Sequence, residues 1–132
     1  MGADTPFACV AAHAPTDTIT GAFDPETARS GLPRLSRDPA APRAWVWPGH
    51  EAALTPGTPI AIERAPVPVF LSVGTADTVL DPAMTLNLAA RLERAGRPAD
   101  LFVCEGQGHG FDFDTEPQFW DRLVGFYRRH LG

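Results

Sequence analysis

The chain has 132 residues, 44% of them hydrophobic, with three Trp and eight Phe. That supports one modest core in one domain and argues against a disordered chain. The formal net charge is −5 and no basic cluster stands out, which argues against nucleic acid and anionic membrane as partners.

No apolar run approaches the roughly 18 residues of a membrane span. Residues 1–6 carry neither the positive region nor the apolar core of a signal peptide. Gly2 is not followed by the Ser or Thr that myristoylation wants, because Pro6 stands there. Cys9 and Cys104 both lie inside apolar runs, as buried, reduced thiols of a cytoplasmic protein do. Their expected placement on separate strands leaves a bridge open.

Residues 7–13 are apolar and predict a first strand, and their continuity suggests cover on both faces, as in a parallel sheet. Pro15 ends it. Residues 14–65 form a long irregular excursion, because seven prolines from Pro25 to Pro59 rule out a long helix. Its span 14–59 has the character of a lid. Short helical turns are expected near 25–30 and 50–54. Trp45 and Trp47 are expected to anchor the excursion on the core.

Residues 67–73 predict a second strand, with Pro68 near its start because it lacks a ladder donor. The turn Gly74-Thr75-Ala76-Asp77 follows. Asp81 as N-cap and Pro82 as first helical residue open a helix near 82–95. Met84, Leu88, Ala89 and Leu92 make its apolar face, and Gly96 closes it. Residues 100–104 predict a third strand, and His109 follows in a loop with Gly106, Gly108 and Gly110. Thr115, with Gln118 three residues on, forms a capping-box pattern for a helix near 116–130. Phe119, Leu123, Phe126 and Tyr127 make its apolar stripe. Arg128, Arg129 and His130 suit the negative end of its dipole.

The pattern is α/β, with an acid and a histidine at the carboxyl ends of parallel strands, where ligands and catalytic groups gather. Adjacent strands lie about 5 Å apart, so their loops can bring Asp77 to the ring of His109. Such a pair is the orienting half of a nucleophilic triad. Taken singly, Asp77 could be a turn residue and His109 an exposed loop residue; their placement on successive strand ends favours the functional reading. Asp81 competes for the acid role, but capping explains it. His13 ends the first strand and could point into the same cleft. His50 and His130 look like loop and surface residues. The His and Cys residues lack metal-ligand spacing and no phosphate loop occurs, so neither metal nor cofactor is expected.

Residues 66–79, 88–92 and 105–111 resemble the C-terminal third of an α/β-hydrolase, nearest the prolyl-oligopeptidase-type serine peptidases and the dienelactone-hydrolase-like esterases. Residues 60–64 are also similar to acyl-CoA thioesterase relatives, and residues 7–15 to the strand after the nucleophile helix. The resemblance implies a single partial α/β-hydrolase domain over 1–132. It implies Asp77 as triad acid, His109 as triad histidine, and Gly74 and Gly108 as turn glycines. It also implies a small-molecule ester, thioester or peptide substrate.

The family's Gly-x-Ser-x-Gly elbow does not occur in the chain. The serines are Ser30, Ser36 and Ser72, none of them in an elbow, and Cys9 has none either. The expectation is a fragment that is inactive alone and partnered by a missing N-terminal hydrolase half or by a second copy. A bare edge on the first strand would follow. The alternative is a non-catalytic module that pairs through that edge. A flavodoxin-like binding domain is disfavoured, because no phosphate loop follows a strand.

Overall fold

The computed structural model describes residues 7–19, 22–23, 35–36 and 57–132. In chain order the elements are β1 (Val10–His13), β2 (Ala22–Phe23), β3 (Leu35–Ser36), a single 3-10 turn (Ile62–Arg64), β4 (Val69–Gly74), α1 (Pro82–Arg94), β5 (Asp100–Cys104) and α2 (Glu116–Leu131). A parallel sheet runs in the order β1-β4-β5. Its registers pair Val10 with Val69 through His13 with Ser72, and Phe70 with Asp100 through Gly74 with Cys104.

The central strand β4 is buried at every residue, as its unbroken apolar run requires of a strand covered on both faces. Alternate side chains point to opposite faces. On one face Val69 and Leu71 pack with Leu88 and Leu92 of α1. On the other, Phe70 meets Phe126 of α2 with ring centroids 5.6 Å apart. The helices therefore cover the two sides of the sheet. Asp100 at the start of β5 also binds Arg122 at 2.7 Å and Arg129 of α2.

β1 departs from expectation. It begins at Val10 rather than at residue 7, and it is not covered on both faces: Phe7 is 64% and Val10 40% exposed. Among the described residues β1 pairs with β4 alone. An apolar run on an edge strand looks the same in sequence as one in the middle of a sheet.

The excursion is also more regular than expected where it is described. β2 and β3 pair antiparallel. Thr18 bridges Pro59, with the Ile19 N–H donating to the Thr58 carbonyl and the Gly57 N–H to the Ile19 carbonyl, each at 2.7 Å. The β-branched Thr18 and Ile19 suit such pairing, and Pro59 itself takes part in it. The helical turns expected near 25–30 and 50–54, and the anchors Trp45 and Trp47, lie outside the described residues.

α1 starts as expected. The Asp81 carboxylate accepts the Ala83 N–H at 2.9 Å and Pro82 follows it. It closes at Gly96, φ +74°, where the Arg97 N–H reaches the Leu92 carbonyl and the Gly96 N–H that of Glu93. That is a Schellman ending, which needs a left-handed residue. α2 is capped differently from expectation. Thr115 has helical dihedrals and its side chain makes no cap bond. Asp112 substitutes: its Oδ1 accepts the Thr115 N–H at 2.8 Å, and its main-chain carbonyl accepts the Glu116 N–H at 2.8 Å. A carboxylate is a stronger acceptor than a hydroxyl, so the acid three residues ahead takes the capping role.

Among the described residues no helix is long and apolar enough to cross a membrane. Cys9 and Cys104 are both free thiols. Burial, aided by the charge of Asp112, pushes the Cys104 thiol pKa up.

Candidate active site

The site begins at Gly74, the last residue of β4. A Cβ there would stand 2.2 Å from the Gln107 carbonyl oxygen and 2.4 Å from that of Gly108. Only glycine lets the two loops touch. Three hydrogen bonds then lock the acid turn to the histidine loop. The Thr75 N–H donates to the Cys104 carbonyl at 3.0 Å, the Ala76 N–H to the Gln107 carbonyl at 2.9 Å, and the Gly106 N–H to the Thr75 hydroxyl at 2.8 Å.

Asp77 is thereby aimed at the loop after β5. Its Oδ1 accepts the N–H groups of Val79 at 2.8 Å and Leu80 at 3.0 Å. Its Oδ2 stands 2.8 Å from His109 Nδ1. The carboxylate is fully buried, whereas the His109 side chain is 42% exposed. Burial pushes the Asp77 pKa up, but the Leu80 N–H, His109 and the Val79 N–H together outweigh it and hold the acid below the usual carboxylate value. An ionised carboxylate only accepts, so the proton between the pair sits on His109 Nδ1. Nε2 is left as the free basic nitrogen.

The histidine loop is held from two further sides. Gln107 and Asp112 bracket His109 reciprocally: Gln107 Nε2 donates to Asp112 Oδ2 at 2.8 Å, and the Asp112 N–H donates to Gln107 Oε1 at 2.9 Å. The His109 carbonyl accepts from His13 Nε2 at 2.6 Å, and His13 Nδ1 lies 2.9 Å from the Ser72 hydroxyl. A cavity of about 240 Å3 opens beside the pair, lined by His13, His109, Gly110, Phe111, Glu116 and Phe119.

Of the residues singled out from the sequence, Asp77 and His109 are brought together and His13 joins them. Asp81 is spent on its helix. Ser72 is fully buried and engaged by His13. His130 meets Phe126 edge-on, with ring centroids 4.7 Å apart, far along α2. His50, Ser30 and the side chain of Ser36 lie outside the described residues. The bracketing role of Gln107 and Asp112 was not foreseen. A polar residue two before the histidine and an acid three after it is the only trace it leaves in sequence.

A family model described as the prolyl oligopeptidase family matches residues 1–132. The chain belongs to the prolyl oligopeptidase family. Its three-stranded parallel sheet with a helix on each face is a partial α/β-hydrolase fold, and the chain is a hydrolase-like domain of the peptidase type. No protein of curated function matches it. Among solved structures the chain is similar to a single-residue variant of SOBER1 from Arabidopsis thaliana, at 18% identity and a TM-score of 0.39, over 67% of this chain and 38% of that one. The chain thus spans about 38% of the length of that structure.

Proposed function

We propose that this chain is the acid-and-histidine portion of a serine hydrolase acting on ester, thioester or peptide bonds, completed by a nucleophile from a segment outside these residues. His109 Nε2 takes the proton of the serine hydroxyl as that oxygen attacks the substrate carbonyl. It then returns the proton to the leaving group. Asp77 stays ionised throughout, fixes the ring and stabilises the imidazolium between the two transfers. The oxyanion donors, like the nucleophile, come from the completing segment. The observation that carries this reading is the 2.8 Å contact between His109 Nδ1 and the buried Asp77 carboxylate.

The chain alone should not hydrolyse a nitrophenyl ester. Mixed or fused with a family segment bearing the Gly-x-Ser-x-Gly elbow, it should turn the ester over, and His109→Ala should abolish that turnover. Hydrolysis by the chain alone that disappears in His109→Ala would place a nucleophile within these residues and contradict the proposal.

A second reading rests on the exposed Phe7 and Val10 at the edge strand β1. In it the chain is a hydrolase-derived interaction module that pairs through this edge, with a second copy or a separate partner. Size exclusion with light scattering should then show a stable dimer or complex that His109→Ala leaves intact. A clean, soluble monomer would count against this reading.

A further inference from the structure

We propose that His13 is a positioning residue for His109, holding the main chain of the base through a relay of hydrogen bonds that starts at the buried Ser72. The inference rests on reading Asp77 and His109 as an acid–base pair. The register of β1 on β4 sets His13 beside Ser72 on one face of the sheet. Ser72 is fully buried, and its hydroxyl lies 2.9 Å from His13 Nδ1. The other ring nitrogen, Nε2, lies 2.6 Å from the His109 carbonyl oxygen. A carbonyl only accepts, so Nε2 carries the proton. In the neutral ring Nδ1 must then accept, and the Ser72 hydroxyl must donate to it.

The direction of every bond is thereby set. Ser72 donates to His13, His13 to the His109 main chain, and the His109 ring to Asp77. His109 is gripped twice: its backbone from the end of β1, and its ring from the end of β4. The free Nε2 is the one polar atom of the residue's side chain that neither grip uses.

Two observations support a built arrangement over incidental packing. The residue after His13, Ala14, has φ 44°, a left-handed conformation that side chains with a Cβ avoid, and its N–H donates to the Ser72 carbonyl at 2.7 Å. The chain therefore leaves the strand abruptly at the residue that reaches His109. The rings of Phe111 and Phe119 flank His13 with centroids 4.8 Å and 5.7 Å away, which confines its ring.

The competing explanation is that His13 only fills space between these aromatics. Variants of the full chain labelled with 15N-histidine separate the two, read by NMR as the solvent exchange rate of the His109 Nδ1 proton. His13→Phe keeps a packed ring and removes both hydrogen bonds; exchange should accelerate roughly tenfold, the factor one ordinary hydrogen bond carries. His13→Gln keeps a donor and an acceptor at similar reach and should stay within about twofold of wild type. Ser72→Ala, which removes only the far end of the relay, should fall between them. Exchange in His13→Phe as slow as in wild type, or slower than in His13→Gln, would overturn the proposal. A wild-type His109 with no proton on Nδ1 would instead remove the acid–base pair itself, so the two failures are distinguishable.

Discussion

Asp77 is the residue whose chemistry is most constrained. Its Oδ1 serves two backbone donors, which only an acceptor can satisfy. In Asp77→Asn the amide oxygen must take that place, which turns the NH2 toward His109 Nδ1. The ring is then driven to carry its proton on Nε2, where a base must be bare. Under the proposed function, this variant joined to the completing segment should lose about 10⁴-fold in kcat while folding normally, and ester kinetics would check it. The same acid makes stability pH-dependent. Its folded pKa lies below the ordinary value of 3.8, so its contribution is complete above that value and is lost as pH falls through the lowered folded value. Urea unfolding between neutral and acid pH should therefore show a smaller acid loss in Asp77→Asn than in wild type. Parallel curves would contradict the buried, stabilised carboxylate. That Asp77 and His109 lie side by side was legible in sequence, because both follow successive apolar strands in glycine-bearing turns. The part played by His13 was not, because a ring bonded to a main-chain carbonyl has no partner residue type to search for.

At the scale of elements, the contact between the two loops depends on Gly74. Gly74→Ala places a methyl against two backbone oxygens that cannot swing aside. It should cost about 3 kcal/mol, the upper end of ordinary overpacking, and should separate Asp77 from His109. Denaturant unfolding reads the first effect. The caps give a paired test. Asp81→Ala should cost about 1 kcal/mol at α1. At α2 Thr115→Ala should cost little, while Asp112→Ala should cost at least as much as Asp81→Ala, because it removes both a cap and the brace on Gln107. Equal losses at Thr115 and Asp112 would restore the capping box expected from sequence. α1 was legible to within a residue, since Asp81, Pro82 and Gly96 are local signals. The start of α2 was legible but its cap was not, because two acceptors stood near one helix end and only geometry chooses between them.

Across the whole molecule, β4 is the organising strand, buried between α1 and α2 and pinned by β1 and β5. Leu88→Ala, deep in the core, should cost about 2–5 kcal/mol in urea unfolding. The parallel strands and the two helices were legible from alternating strand and helix signals. The shortened β1 and the pairing of β2 with β3 were not, because edge position and cross-strand pairing are set by partners distant in sequence. All of these elements serve one arrangement, in which the ends of β4 and β5 deliver a carboxylate and an imidazole to one place. The most direct test is the protonation of the two His109 ring nitrogens, read by 15N NMR with the ring in its neutral form. Wild type should carry a proton on Nδ1 and a bare Nε2, and Asp77→Asn the reverse. A proton on Nε2 in both proteins would contradict that arrangement.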